Sequence, residues 1–371
     1  MARFYFTNFY NMDSIVEDGN PKGGSNVETL VWMKAFFRLG NEVFLAQYEN
    51  DGRKIKENYN WITTVPTYNF TKYKKFLVWY SYRFPKLFKV LSKNRFDYVF
   101  SSNPTWQIFY LCLICKLTGA KHIMRIANDK NVDFNLDKSI KPLEKLYIRL
   151  GYKLSDFIVA QNEFQFQKLK ENYPNKKISK IYNPIVIEKE YLKIKEIDEG
   201  SYIAWVANFR YQKNLKLLFE ISSQNPKLFF KVAGQSLSYS DPETEEYLIR
   251  LKGLTNVEFM GAISQDEILK FLSKSKYLLS TSRYEGFSNT FLEAMIVGTP
   301  IITTYNVNPD GIIDEHQLGI LYKDPKDFKL IINDINNEKY KIMSKNCIEY
   351  VLSHHDYLKL GKEFMQVIGN I

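Results

Sequence analysis

The feature that most constrains this chain is the rhythm of its second half. Tyr202 to Ala207 reads as a strand, Asn214 to Ser222 as a helix, Leu228 to Ala233 as a strand and Glu243 to Lys252 as a helix. Val257 to Gly261, Gln265 to Ser273 and Tyr277 to Ser280 continue the pattern as strand, helix and strand. Strands separated by helices need crossover connections, which imply a parallel, doubly wound sheet. Ligands of such sheets bind beyond the C-terminal ends of the strands.

The first half follows the same logic. Arg3 to Phe9 reads as a strand, followed by the polar loop Asp18-Gly-Asn-Pro-Lys-Gly-Gly24 and a helix from Ser25 to about Leu39. Glu42 to Ala46, Asp97 to Ser101, Lys121 to Ile126 and Asp156 to Ala160 read as strands, with helices over Pro104 to Leu117 and Asn162 to Asn172. The charged run Glu188 to Gly200 reads as a linker. A length of 371 residues accommodates two such domains, each with its own core. The expected fold class is therefore α/β, with two Rossmann-like domains.

One stretch concentrates the chemistry. Leu278 to Ser280 ends a strand, Ser282 to Asn289 is a polar loop, and Thr290 to Val297 reads as a helix stopped by Gly298 and Pro300. A loop feeding a helix leaves the N–H groups of Asn289, Thr290 and Phe291 at a helix N-terminus, which suits an anion. Glu285 precedes that helix, and Glu293 lies one turn inside it. The same spacing also fits a plain capping box between Thr290 and Glu293, with Glu285 as a solvated loop carboxylate.

The string Glu285-Gly-Phe-Ser-Asn-Thr-x-Leu-Glu-Ala-Met295 resembles the Glu-x7-Glu signature of family 4 glycosyltransferases, the group 1, retaining, nucleotide-sugar-dependent enzymes. Gly23-Gly24 before a helix, Asn183-Pro184 at the end of the first half, and Val206 to Asn214 are similar to other family segments. The resemblance implies a GT-B fold, with two Rossmann-like domains facing across a cleft. It implies an acceptor-binding domain over 1–185, a nucleotide-sugar-binding domain over 186–345, and a helix over 346–371 that packs back on the first domain.

The resemblance also implies roles. Lys213 and Arg210 would hold the donor diphosphate, and Glu285 would orient the transferred sugar; these three form the expected catalytic group. Glu293 would bind ribose hydroxyls, and the Gly286, Phe287, Ser288, Asn289 and Thr290 segment would line the sugar and phosphates. Gly261 to Ile263 would meet the base, and Gly234 would let the nucleotide approach the backbone, although ordinary strand-to-helix turns explain both glycines equally well. Gly23 and Gly24 would face acceptor and phosphate, where a flexible turn is the alternative. There are two departures. Asn208 stands where the family has an arginine, and Asn128-Asp129 where it has His-Asp. Asn128 can hydrogen-bond a sugar hydroxyl but cannot transfer a proton, and an Asn-Asp turn is an equal reading.

A net charge of +10 favours anionic partners. Thr71 to Phe96 holds Lys72, Lys74, Lys75, Arg83, Lys86, Lys89, Lys93 and Arg95 with no acidic residue, interleaved with Tyr73, Phe76, Trp79, Tyr80, Tyr82, Phe84 and Phe88. Residues 71–96 therefore suit an anionic membrane surface, with the cations at the headgroups. The alternative is aromatics turned to the core. Cys112 and Cys115 sit in an apolar run with no second ligand pair, which reads as core packing. No acidic pair has a metal-binding context, so neither a metal nor any other cofactor is expected. Met1-Ala-Arg-Phe-Tyr-Phe enters a strand with no apolar leader, so a cytoplasmic protein, peripheral at the inner face of the cell membrane, is expected.

The expected activity is transfer of a hexose or N-acetylhexosamine to a saccharide or lipid-linked saccharide acceptor in surface polysaccharide synthesis. Two other readings stay open. One is a sugar transferase acting on nucleic acid or a soluble acceptor; the other is a non-catalytic nucleotide-sugar-binding protein.

Overall fold

A computed structural model describes residues 1–19, 23–72, 78–136, 140–236 and 241–369. The chain divides into two units. One is Met1–Pro184 together with Tyr357–Ile371, and the other is Ile185–Asp356.

The first unit is built on a seven-stranded parallel sheet. Its strands are β1 (Arg3–Phe6), β2 (Glu42–Tyr48), β3 (Thr63–Tyr68), β4 (Tyr98–Ser102), β5 (Lys121–Arg125), β6 (Phe157–Ala160) and β7 (Lys177–Lys180), in the order β3-β2-β1-β4-β5-β6-β7. The inner strands β1, β2, β4 and β6 have both faces covered, which is why they read as largely apolar runs. Along β1, Phe4 and Phe6 enter one core and Tyr5 the other. The principal helices are α1 (Gly24–Arg38), α2 (Phe84–Asn94), α3 (Gln107–Thr118), α4 (Pro142–Leu154) and α5 (Glu163–Asn172). The C-terminal helix Tyr357–Val367 lies on α1, where Phe364 meets Trp32 and Phe36 edge-on at 4.9 and 5.2 Å.

Within the segment 71–96, Tyr73, Lys74, Lys75 and Phe76 lie outside the described residues, as do Asn20, Pro21 and Lys22 of the glycine-containing loop. The aromatics of that segment divide. Trp79 and Phe96 are buried and Phe84 packs on the core under α2, whereas Tyr80 and Phe88 remain exposed. Cys112 and Cys115 are both buried, one in each of two neighbouring core clusters.

The second unit holds a six-stranded parallel sheet. Its strands are β8 (Tyr202–Val206), β9 (Phe230–Ala233), β10 (Val257–Gly261), β11 (Ser275–Leu279), β12 (Ile301–Thr304) and β13 (Gly319–Tyr322), in the order β10-β9-β8-β11-β12-β13. The principal helices are α6 (Leu215–Gln224), α7 (Pro242–Lys252), α8 (Gln265–Ser273), α9 (Asn289–Ile296) and α10 (Asn337–His354). Along β8, Ala204 faces the core under α8 and α9, while Ile203 and Trp205 face the core under α6 and α7.

Two expectations about the boundaries are corrected. The helix returning to the first unit begins at Tyr357 rather than 346, because Cys347, Tyr350 and Val351 of α10 bury in the second unit's core. The charged run 188–200 is not a free linker. Lys195 is 3% exposed, and its ammonium donates to the Ser275 carbonyl and, at 2.9 Å, to Thr299 Oγ1. Burial brings its pKa down to about 8. Among the described residues, no helix is long and apolar enough to cross a membrane.

Candidate active site

In the second sheet the strand order reverses between β8 and β11, which are hydrogen-bonded neighbours. A reversal leaves a crevice at the C-terminal ends of the two strands, because their following helices go to opposite sides. The loops leaving β8 and β11 carry Asn208 to Asn214 and Ser280 to Ser288.

After β8 the chain extends through Arg210, makes one tight turn over Tyr211–Lys213, and reverses at Asn214, whose φ of 54° is left-handed. The Asn214 side chain then caps α6 by accepting from the Leu217 N–H. The turn is fastened to the second loop by backbone and side chains. Arg283 N–H donates to Gln212 O at 2.8 Å, and Thr281 Oγ1 donates to Lys213 O at 2.8 Å. Trp205 supports Thr281 from below with an indole N–H at 2.9 Å.

These ties bring Lys213 and Glu285 together. Their side chains form an ion pair at 15% and 10% exposure. Ser282 Oγ donates to Glu285 Oε1 at 2.8 Å, and Gln212 Nε2 donates to Oε2 at 3.2 Å and to the Tyr284 carbonyl at 2.8 Å. A carboxylate with three donors is held in one orientation. Gln212 and Ser282 were not singled out from the sequence; their only signal was adjacency to Lys213 and to the signature string. Arg283 was missed too. Its guanidinium donates to the Tyr211 carbonyl, lies 3.8 Å over the Tyr211 ring and pairs with Glu243 of α7 at 2.6 Å.

Glu293 has the opposite environment. It is 8% exposed on α9, and burial pushes its carboxyl up to about 8. The capping box is not formed. Ser288 is the N-cap of α9 and the helix begins at Asn289, which puts Glu293 five positions inside. The Phe291 N–H donates to Ser288 O at 3.0 Å, so it is not an open donor as expected. The Phe287 side chain is buried in the core, with its ring 5.0 Å from that of His355. Arg210 is exposed and Asn208 half-buried.

The glycines separate by cause. A Cβ on Gly234 would lie 1.9 Å from the Ala207 carbonyl, and its N–H already donates to Gly261 O at 2.8 Å, so this glycine serves the packing of adjacent strand ends. Gly261, at φ +70°, borders open space, and Ile263 packs partly on the core.

In the first unit the reversal lies between β1 and β4. The loop after β1 returns through Gly23, at φ +93°, and Gly24 into α1. The loop after β4 reaches it where Asn103 Nδ2 donates to Ser25 Oγ at 2.7 Å. Asn128 and Asp129 follow β5, one strand further along. Asn128 accepts from its own Lys130 N–H at 3.1 Å, and Asp129 Oδ1 accepts from Asn162 and Gln165 at 3.0 and 2.9 Å. The Asn128 side chain thus caps the turn after β5, and the Asp129 carboxylate ties that turn to the start of α5. Beneath them, buried Arg125 pairs with Glu28 of α1 at 2.7 Å and donates to Asn183 Oδ1 at 2.7 Å, a network the sequence did not disclose. A cavity of about 620 Å³ lined by Arg95, Asp97 and Lys121 lies at the other, N-terminal edge of this sheet, away from these loops.

Comparison with known proteins accounts for this arrangement. Residues 22–189 match the family described as Glycosyltransferase Family 4, and residues 187–353 the family described as Glycosyl transferases group 1. Two uncharacterized glycosyltransferases of Methanocaldococcus jannaschii are similar. One is 30% identical over 221 residues, which is 58% of this chain and 59% of that protein. The other is 26% identical over 244 residues, 62% of each. The matched stretch thus spans 59% and 62% of these relatives' lengths. The crystal structure of Anabaena HepE in complex with UDP and glucose superposes with a TM-score of 0.75 at 12% identity, covering 100% of both chains. With the two families matched end to end on two doubly wound parallel sheets, the chain belongs to the group 1, family 4 glycosyltransferases of GT-B fold.

Proposed function

We propose that the protein transfers a hexose or N-acetylhexosamine, with retention of configuration, from a nucleoside-diphosphate sugar to a hydroxyl of a saccharide or lipid-linked saccharide acceptor. The observation that carries the reading is the junction of Lys213 and Glu285 at the β8/β11 reversal, beside the N-terminus of α9. Lys213 and Arg210 take the diphosphate, aided by the amides of Asn289 and Thr290. Glu293 hydrogen-bonds the ribose hydroxyls. Glu285 holds hydroxyls of the transferred sugar, with the Gly286-Phe287 backbone alongside. In the reaction the bond from the anomeric carbon to the phosphate oxygen breaks, and a bond to the acceptor oxygen forms on the same face. The acceptor proton leaves to the departing diphosphate. The scheme places the leaving charge on cations and amides and calls on no metal.

Because Lys213 already touches Glu285, donor binding exchanges part of that ion pair for contact with phosphate. UDP is the first nucleotide to try, since it occupies the HepE structure. The acceptor class, a role in surface polysaccharide synthesis, and a peripheral place on the inner membrane face through residues 71–96 belong to the same proposal.

The test is thermal unfolding with a panel of nucleoside diphosphates and their sugars, followed by measurement of diphosphate release. A donor at about 100 times its Kd adds roughly 2.7 kcal/mol to the folded state. A shift with one nucleotide, reduced in Lys213→Met, is expected. No shift with any nucleotide, and no release from any donor in the presence of lipid-linked or soluble acceptors, would sink the reading.

A further inference from the structure

The layer formed by α2, α3 and α4 has an unusual outer surface. A helix covering a sheet normally turns polar residues outward. In α3, Ile108, Leu111, Cys112, Ile114 and Cys115 are buried. Helical spacing then puts Phe109, Tyr110, Leu113 and Leu117 on the opposite face, where the first three are half-buried and Leu117 is 71% exposed. That face carries one charge, Lys116, and α3 has no acidic residue. The apolar surface continues onto α4, where Tyr147 lies 5.6 Å from both Phe109 and Tyr110, ring to ring. Beside it, Leu143 and Leu146 are 63% and 51% exposed. Tyr80, just before α2, extends the surface the other way, with its hydroxyl 2.9 Å from that of Tyr110.

Cations border this apolar strip on both sides. On α2, Lys89 and Lys93 are exposed and the helix has no acidic residue. On α4, Lys145 and Arg149 stack over Phe134 at 5.7 and 5.6 Å, with Glu144 the helix's one carboxylate. An apolar centre with a cationic rim matches one partner in both hydrophobicity and charge, the interfacial region of an anionic bilayer.

We propose that the α2–α3–α4 face of the first unit is the membrane-docking surface, with the outer faces of α3 and α4 entering the interface and the α2 and α4 cations meeting the lipid phosphates. This deepens the membrane part of the function proposed above and rests on that part alone. It also moves the inserting residues. Trp79 and Phe96 of the segment 71–96 are committed to the core, and Leu117, Leu143 and Leu146 take their place.

The experiment is co-sedimentation of the full chain with phosphatidylcholine vesicles, with and without phosphatidylglycerol, and no nucleotide present. Wild type is expected to bind the anionic vesicles, less so as salt rises, and to bind the neutral ones weakly. The combined variant Leu117→Ser, Leu143→Ser and Leu146→Ser alters side chains already exposed, and is expected to lower the partition coefficient about tenfold or more. A second variant, Lys89→Glu with Lys93→Glu, is expected to lose the preference for anionic lipid, and keeps the test open if the first fails to fold. Wild type that ignores vesicles, or variants that bind as wild type does, would overturn the proposal. So would a dimer in sedimentation velocity that the leucine variant dissociates, since the face would then belong to a second copy. The leucine variant should keep any nucleotide-dependent thermal shift, so failure of the docking proposal and failure of the donor reading are separable.

Discussion

Replacing Lys213 by Met removes the cation from Glu285 and leaves the carboxylate with Ser282 and Gln212 as donors. Exposed ion pairs are worth about 0–1 kcal/mol. Stranding one partner of a fully buried pair costs about 3–5 kcal/mol. At 15% and 10% side-chain exposure this pair lies toward the buried end, but the two remaining hydrogen bonds offset part of the loss. We expect a cost of about 2 kcal/mol. For a unit the size of Ile185–Asp356 this lowers Tm by about 4–8 °C. The assay is urea and thermal unfolding of wild type, Lys213→Met, Glu285→Gln and the double variant. Glu285→Gln should recover most of the loss in the Lys213→Met background, because an amide needs no cation, giving a coupling of about 1–2 kcal/mol. Equal cost of Glu285→Gln in both backgrounds would refute the reasoning, since the two groups would then not be partners.

Other perturbations test the surroundings of that pair. Glu293 has its carboxyl raised from 4.5 to about 8, so the folded state keeps a proton that the unfolded chain releases. Its stabilising contribution is complete below about pH 4.5 and is lost as pH rises through about 8. Wild-type Tm should fall over that window, and Glu293→Gln should flatten the fall; parallel profiles would contradict the burial argument. Arg283→Met releases Glu243 and the Tyr211 ring, at an expected cost of about 1 kcal/mol in unfolding. It should weaken nucleotide binding by more than that stability loss suggests, with partial rescue by Arg283→Lys; wild-type nucleotide affinity in Arg283→Met would show that this tie does not position Lys213. Gly298→Ala puts a Cβ 2.6 Å from Lys193 O and Ser344 Oγ at a residue with φ +64°, so unfolding in urea should show a loss of about 3 kcal/mol. Unchanged stability there would mean the segment 188–200 is free to move.

The parallel sheet of the second unit was legible because its central strands β8, β9, β11 and β12 are largely buried and its helices are short and regular. Elements at the margins were not. β3 carries Pro66 and lies at the sheet edge beside β2, and a proline that is tolerated at a sheet edge erases the strand signal. β13, also at an edge, begins at Gly319, where a Cβ would lie 1.8 Å from Ile301 O; packing rather than propensity put it there. α4 was unread because its exposed Leu143 and Leu146 blur the helical period, which is the property that makes its outer face available. The charge of the run 188–200 concealed a lysine that reaches two buried acceptors. At the site, the motif residues were legible but their partners were not. Gln212, Ser282 and Arg283 become meaningful only when β8 and β11 are neighbours, and sequence rhythm does not give strand order.

A two-residue difference in the position of the helix cap separates the two carboxylates of the signature. With Thr290 as the cap, Glu293 would turn back to satisfy a backbone amide at the surface. With Ser288 as the cap it goes into the interior instead, where burial pushes its carboxyl up to about 8. Glu285, eight residues earlier, keeps Lys213, Ser282 and Gln212 around it. The two groups therefore differ in what they can do. Glu293 holds its proton when the site is empty and can release it when two ribose hydroxyls donate to the carboxylate. An anionic Glu285 only accepts, which suits sugar hydroxyls, and its pairing with Lys213 limits the repulsion that phosphate would otherwise meet. Under the proposed function, ribose hydroxyls that donate to Glu293 favour its ionised form, so binding and deprotonation are linked. Nucleotide affinity should then rise with pH toward about 8 in wild type and be flat in Glu293→Gln. Calorimetric titration in buffers of different ionisation enthalpy reads the released proton directly. Release by wild type and none by the variant puts Glu293 on the ribose, whereas equal release by both removes it from the site.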